Sequence, residues 1–195
     1  SPLIMKHADS LAVARKRGTL ILQGRVHFVH DSVQFKTQRA VWNKDNEVVQ
    51  CEGGFKFLHP SGFMDAEKGV YRKKDNVATA TGNVHAGDSA HTYYLTGDHL
   101  MFDREKDILD IPQNPRLYQF EKKKDGSEDT LAISAKQMVY NKKDGLATAK
   151  HNVVIKQDDV TIYADAMNYR RKEDFAEAFN HVKMVQKDME VTCDT

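Results

Sequence analysis

The chain of 195 residues carries a formal net charge of +1, with acidic and basic residues mixed along its length. This balance excludes the basic field that attracts nucleic acid, so we expect no nucleic-acid partner, and the length fits one domain over residues 1–195. No apolar run approaches the roughly 20 residues of a membrane-spanning helix, and residues 1–5 lack the regions of a signal peptide, so we expect a mature or trimmed chain.

A pattern of about 29 residues recurs six times along the chain. Each copy has a large apolar residue, here called the anchor, directly before a charged stretch. The six anchors are Val13, Trp42, Tyr71, Phe102, Tyr140 and Tyr169. A seventh copy begins at Cys193. Because one unit of this size cannot bury its apolar face alone, the repeat predicts units that stack around one continuous interior.

The charged stretch after each anchor contains Asn, Asp or Gly, as in residues 73–76 and 142–145. These residue types adopt the backbone conformations that tight turns need, so each stretch predicts a turn between two strands. A row of such turns could hold phosphate groups, but the charges are of both signs. We therefore interpret the row as a solvated edge.

Two alternating segments follow each turn. In the first repeat, for example, Val26 and Phe28 flank His27. An apolar residue at every second position predicts a strand with one buried face. The inward positions that we expect to line the interior are Leu20, Leu22, Val26, Phe28, Val49, Phe55, Phe57, Val84, Leu109, Ile111, Leu117, Val153, Ile155, Val182 and Met184.

These features predict an all-β fold, an elongated stack of about six repeats with two facing antiparallel sheets. With two strands per repeat in each sheet, the stack would be on the order of 60 Å long. The fourth spacing between anchors is 38 residues, which places the extra residues in a hairpin tip around residues 121–128. Pro112 and Pro115 occupy strand positions in the fourth repeat, where they predict a local irregularity because proline donates no hydrogen bond.

Two short motifs recur within the repeats. They are the pair Ala-Asp, at Ala8-Asp9 and Ala164-Asp165, and the triplet Gly-Asn-Val at Gly82-Asn83-Val84, with His151-Asn152-Val153 as a variant. These motifs resemble those of the OstA/LptA-like family of lipopolysaccharide-transport proteins, and the resemblance extends over essentially the whole chain. Residues 113–115 and 180–182 depart from the triplet, which leaves open the member of the family. Because a seventh repeat begins at Cys193, the chain could be a stand-alone carrier with one further strand or the amino-terminal part of a larger OstA-like or LptD-like protein.

The resemblance implies that the stack is an elongated open β-jellyroll. It also implies a periplasmic protein, without a cofactor, that binds lipopolysaccharide or a lipid A-like glycolipid and transports it to the outer membrane. The acyl chains would lie in the apolar interior, against the inward positions given above. The ends of the jellyroll would join head to tail with like domains, either further copies of this chain or LptC-like and LptD-like partners.

Other functions remain open from the residues alone. The same inward positions suit a plain core, so the chain could be a structural filament module with a dry interior. A carbohydrate-active enzyme on a β-helix would need carboxylates clustered on one outward face, whereas the acidic residues are spread over the turns. We expect no catalytic residues, because no arrangement of Ser, His and Asp and no pair of inward carboxylates recurs.

The nine histidines and two cysteines are scattered along the chain. Neither residue type shows the spacing of a metal-ligand set, so we expect no metal site. Cys51 and Cys193 lie five repeats apart, well beyond the roughly 7 Å between Cα atoms that a disulfide allows. We expect Cys51 to be a buried thiol, and the roles of both cysteines stay open.

Overall fold

A computed structural model describes residues 1–14 and 18–193. The strands are β1 (Ile4–His7), β2 (Ser10–Ala14), β3 (Thr19–His30), β4 (Val33–Asn43), β5 (Val48–His59), β6 (Gly62–Arg72), β7 (Val77–Gly87), β8 (Tyr93–Asp103), β9 (Ile108–Gln113), β10 (Arg116–Lys122), β11 (Glu128–Ser134), β12 (Gln137–Asn141), β13 (Leu146–Gln157), β14 (Val160–Arg170), β15 (Phe175–Phe179), β16 (Val182–Gln186) and β17 (Met189–Cys193). One short 3-10 turn spans Arg171–Glu173, and the described residues contain no α-helix. The prediction of a nearly all-β chain is confirmed.

The strands form two facing layers. The first sheet follows the order β1, β3 to β8, β10, β11, β13, β14, β16 and β17, and the second follows β2, β3 to β8, β9, β12, β13, β14 and β15. Most long strands belong to both sheets, because each bends at its middle, where the pairing register shifts. All pairs are antiparallel, so the predicted elongated jellyroll with two antiparallel sheets is confirmed.

The bends form a closed edge that we call the spine. The residues there adopt positive φ, including Gly82 at +83° and Asn83 at +45°. Such angles suit glycine and asparagine, which gives the Gly-Asn-Val motif a structural reason. In four of the six repeats a carboxylate on the neighbouring strand contacts the bend 16 residues later, and these pairs are Asp9 with Arg25, Glu67 with Asn83, Asp98 with Asn114 and Asp165 with His181. The acidic residue of the Ala-Asp motif therefore belongs to a ladder along the spine.

The turns opposite the spine also repeat closely. The last residue of each turn has positive φ, as at Asn76 (+53°) and Asp107 (+55°), and its carbonyl accepts a hydrogen bond from the first residue of the next turn. These bonds run from the amides of Lys44, Lys73, Arg104, Lys142 and Arg171 to the carbonyls of Gly18, Glu47, Asn76, Asp107 and Gly145, at 2.8–3.1 Å. Residues 15–17, which belong to the first predicted turn, lie outside the described residues.

Both predicted departures of the central repeats are confirmed. In the fourth repeat the strand that would cross the spine is split into β9 and β10, with Asn114 at positive φ between them. The extra residues of this repeat lengthen β10 and β11 into a hairpin that pairs as far as Lys122 with Glu128. Because its tip lies beyond the stacked turns, the insertion leaves the order of the sheets intact.

Candidate functional site

The predicted inward residues lie between the two sheets. All are buried except Leu20, Val182 and Met184, which are half-buried. Their neighbours His27 and Lys56 lie on the outer surface, in agreement with the alternation of the strands. The four later anchors, Tyr71, Phe102, Tyr140 and Tyr169, are also buried, Trp42 is half-buried, and Val13 at the amino-terminal end is exposed.

The interior of the first four repeats is filled by aromatic rings. Phe35 lies 5.0 Å from Phe28, 5.1 Å from Tyr71 and 6.1 Å from Phe55, measured between ring centroids. Phe57 of the first sheet meets Phe102 of the second at 6.3 Å. The space left beside Phe57 and Phe102 is about 20 Å³, room for no more than about one water. This part of the interior is therefore packed.

The interior opens at the carboxyl-terminal end. A groove of about 370 Å³ lies there between the sheets, and Ile155 is the one predicted inward residue among its lining side chains. Its other apolar walls are Leu131, Ile162, Tyr169 and Ala176, and its polar rim is formed by Gln157, Asp158, Asp159, Asp174 and Gln186. Val160 completes the lining.

Two features of the last repeats keep this groove open. The second sheet ends at β15, whose inward residues Ala176 and Ala178 are too small to reach the opposite wall. The first sheet continues through β16 to β17, so Met189 and Val191 face the interior side without a covering strand and are 48% and 41% exposed. The two layers are thus of unequal length at this end.

Each sheet has its own row of turns opposite the spine. The gap between these two rows, which we call the mouth, is crossed by polar contacts. In the first, the Arg104 guanidinium donates to the Tyr71 hydroxyl at 2.7 Å, and that hydroxyl lies 2.6 Å from His30 Nδ1. Arg104 belongs to the fourth turn of the second sheet, and His30 ends β3 directly before the first turn of the first sheet. The contact therefore joins the two layers.

The second and third contacts also join positions three repeats apart. Lys142 donates to the Ser61 hydroxyl, which lies 2.7 Å from His59 Nδ1. The third contact is electrostatic: the charge of Arg171 acts on the Tyr140 hydroxyl and, across the mouth, on Asp88. His30, His59 and Asp88 are spaced by 29 residues, so each contact joins equivalent positions. We call these three contacts the seam.

The seam shifts the pKa values of its own groups. Burial lowers the pKa of His30, and the positive charge of Arg104 acts in the same direction, although Asp31 opposes both. Burial likewise lowers the pKa of His59, helped by Lys142 and Arg104. Both histidines are therefore neutral near pH 7, as expected for the His59 ring nitrogen that accepts a hydrogen bond from the Ser61 amide.

Asp88 behaves differently from the histidines. Its burial raises the pKa, but hydrogen bonds from Thr92 and Tyr93 and the charge of Arg171 outweigh that effect, so the pKa of Asp88 is lowered. Arg171 therefore faces a carboxylate, whereas Lys142 crosses the mouth to the Ser61 hydroxyl and Arg104 reaches the Tyr71 hydroxyl of its own sheet, which contacts His30. Lys142 has Asp107 of its own sheet at 3.4 Å, and the Arg104 Nε is buried without a hydrogen-bond partner.

The sequence interpretation missed the seam, because it treated the turns as a solvated edge. A signal was present: the turns begin with a basic residue at the same position in each repeat. Lys142, at 11% side-chain exposure, shows that these residues do not all extend into water. The partners could not be read from the sequence, since each contact spans three repeats.

Neither of the two cysteines forms a disulfide: Cys51 is buried and Cys193 is exposed, and both are free thiols. Within residues 1–14 and 18–193 there is no group of three or more His, Cys, Asp or Glu side chains that could hold a metal ion. The same residues include no helix long and apolar enough to cross a membrane.

Comparisons with known proteins agree with part of the predicted resemblance. Residues 119–195 match the model of the family described as OstA-like protein, which confirms the resemblance over that segment. Among solved structures, the chain is similar to LptH, the LptA homologous periplasmic component of the conserved lipopolysaccharide transport device from Pseudomonas aeruginosa. That similarity has 12% identity and a TM-score of 0.34 over 95% of each chain. No sequence among the curated proteins matches the chain.

Proposed function

We propose that the chain is a periplasmic carrier that binds lipopolysaccharide or a lipid A-like glycolipid and passes it towards the outer membrane. The observation that carries this proposal is an apolar interior that runs the length of two facing sheets and opens at one end into a groove of about 370 Å³. The OstA-like match over residues 119–195 covers the part of the chain that forms this groove.

The groove would remove the methylene groups of an acyl chain from water. Each methylene removed from water is worth roughly 0.8 kcal/mol, so a chain of a dozen carbons gains on the order of 10 kcal/mol. Transfer between similar grooves would be nearly neutral in free energy, and supply from one end would give it direction. The proposal needs no catalytic step.

The fifteen predicted inward residues divide into two groups in this proposal. Ile155, Val182 and Met184 lie on the open part of the interior and would contact an acyl chain first. The other residues are packed or lie deeper along the same interior, so they would contact lipid only where the two sheets move apart. The mouth is the line along which such a movement would occur.

The ends of the sheets suit contacts with like domains. At the amino-terminal end Leu11 and Val13 of β2 are 49% and 58% exposed, and at the other end Met189 and Val191 of β17 are similarly exposed. Unpaired edge strands accept further strands readily. We propose head-to-tail pairing of these ends, with other copies of this chain or with LptC-like and LptD-like jellyroll domains.

Photo-crosslinking tests lipid binding directly. A photoreactive amino acid is placed at Ile162, which lines the groove, and as a matched control at Thr161, its half-buried neighbour on the outer face. After irradiation with purified lipopolysaccharide, we expect an adduct at residue 162 and none at residue 161. Equal labelling at both positions, or none at residue 162, would contradict lipid binding in the groove.

A structural module with a dry interior is the second candidate. The packing of Phe28, Phe35, Phe55 and Phe57 favours it, because these rings leave little space in the first four repeats. This candidate predicts concentration-dependent polymers whose formation does not change when lipid is added. The carrier predicts that lipid and the protein form a defined complex.

A further inference from the structure

We propose that Arg104, Lys142 and Arg171 form a binding row for the anionic groups, of the phosphate type, of an amphipathic lipid whose acyl chains lie between the sheets. This inference rests on the proposed function and adds to it the site of the head group. The three residues occupy the same position in three successive repeats, at the boundary between the apolar interior and solvent.

The position of the row fits such a ligand. The seam crosses the mouth above a packed core formed by Tyr71, Phe102 and Tyr140. Acyl chains that enter from the open groove would lie beneath the seam only where the two sheets move apart, and their head groups would then emerge along the mouth. Lys142 Nζ, for example, lies 5.1 Å from the centroid of the Phe102 ring. A cation held at the edge of an apolar space is where an anionic head group attached to buried acyl chains would meet it.

The present partners of the row favour the same ligand. Arg104 and Lys142 donate to neutral oxygen atoms at the mouth, the Tyr71 hydroxyl of the same sheet and the Ser61 hydroxyl of the opposite one. His30 and His59 behind these hydroxyls are uncharged near pH 7. Anionic oxygen makes stronger hydrogen bonds to guanidinium and ammonium groups than neutral oxygen does. A phosphate-type group would therefore replace these hydroxyls with a gain, and would also offer an acceptor to the buried Arg104 Nε.

The row differs from the other cations of the chain. Lys36, Lys56 and Lys156 are exposed on the outer face of the first sheet, away from the interior. Their charge is the same, but a lipid seated between the sheets could not bring its head group to them. They provide a matched control for net charge.

The test compares binding of two probes by the full chain: purified lipopolysaccharide, and the same material after enzymatic removal of its phosphates. The acyl chains are identical in both. We expect the wild-type protein to bind the phosphorylated form at least about tenfold more tightly. We expect the triple variant Arg104→Gln, Lys142→Gln, Arg171→Gln to bind both forms alike.

Two further variants separate a binding role from a structural one. The control variant Lys36→Gln, Lys56→Gln, Lys156→Gln should keep the full preference for phosphorylated over dephosphorylated lipopolysaccharide. The charge-conserving variant Arg104→Lys, Lys142→Arg, Arg171→Lys should keep most of this preference, even if the seam itself is weakened. Thermal unfolding of every variant establishes that the compared proteins are folded, and Arg171→Gln alone serves as the test if the triple variant is not.

The outcomes distinguish the two proposals. If the wild-type protein binds both probes equally, the row does not bind the head-group phosphates, while the proposal of lipid binding stands. If it binds neither, the proposed function fails and this inference fails with it. Inorganic phosphate at matched concentration should not compete, because it lacks acyl chains; effective competition would show a site for free phosphate and would overturn the lipid assignment.

Discussion

Arg104 donates a hydrogen bond to the hydroxyl of Tyr71 at 2.7 Å, from a turn that lies one repeat later in the chain. The same hydroxyl contacts His30 on the opposite sheet, so one oxygen atom joins the two layers across the mouth. The tyrosine was expected as an apolar anchor, and its ring is indeed buried, but its polar end lies within the seam. One residue therefore belongs both to the core and to the polar edge.

Phe57 and Lys56 are neighbours on β5 whose side chains lie on opposite faces, so truncating them should change the free energy of unfolding unequally. Phe57 is 1% exposed and contacts four aromatic rings, so Phe57→Ala should lower the free energy of unfolding by about 3–5 kcal/mol. Lys56 is exposed on the other face, and Lys56→Ala should change it by less than about 0.5 kcal/mol. Urea denaturation measures both, and similar losses would contradict the assignment of faces.

Gly69 makes room for a neighbouring ring. A Cβ at this position would lie 2.2 Å from the Phe55 ring, far inside van der Waals contact. Because the cores of proteins tolerate added atoms poorly, Gly69→Ala should destabilise the protein by about 1–3 kcal/mol. The second change Phe55→Leu should recover part of that loss when combined with Gly69→Ala. A double variant no more stable than the simple sum of the two losses would show that the contact is not the cause.

Acidification should weaken the protein through the seam histidines. The folded-state pKa values of His30 and His59 lie below the ordinary value of 6.5, so the unfolded chain binds protons more readily. Their contribution to stability is therefore complete above about pH 6.5 and is lost as the pH falls towards their folded-state values. Arg104 and Lys142 face these rings and oppose their protonation.

The double variant His30→Gln, His59→Gln isolates this effect. Melting temperature is measured between pH 7.5 and 5 for the wild-type protein and the variant. We expect the wild-type protein to lose more of its thermal stability than the variant over this range. His27→Gln, on the outer face, is the matched control and should behave like the wild-type protein. Parallel curves for all three proteins would assign the acid sensitivity to other groups.

The two cysteines should react very differently. Burial raises the pKa of the Cys51 thiol to about 12, whereas Cys193 is exposed. A maleimide reagent at pH 7.5 should therefore modify one thiol in the folded protein and two after denaturation, as counted by mass spectrometry. The variant Cys193→Ser should be unmodified when folded. Rapid labelling of Cys51 in the folded protein would show that the sheets open there.

Much of the architecture followed from local pattern. Alternating apolar residues and regularly spaced turns determined strands, faces and the order of the stack, because a strand places every second side chain on the same face. The inward positions from Leu22 to Ile155 could be named for the same reason. The spine was visible in the sequence as the recurring Ala-Asp and Gly-Asn-Val motifs. The pairing of Asp98 with Asn114 was not visible there, because neither motif occurs at those positions.

The tertiary structure alone decided what the interior and the edge do. Whether Phe28 and Phe57 line a space or fill it depends on how closely two sheets approach, and their rings meet neighbours from other repeats. The open groove exists because the two sheets end at different strands, a property of pairing between distant segments. The seam joins residues 74 to 83 positions apart, and no local pattern encodes that offset, which arises from the way the two sheets face each other across the mouth.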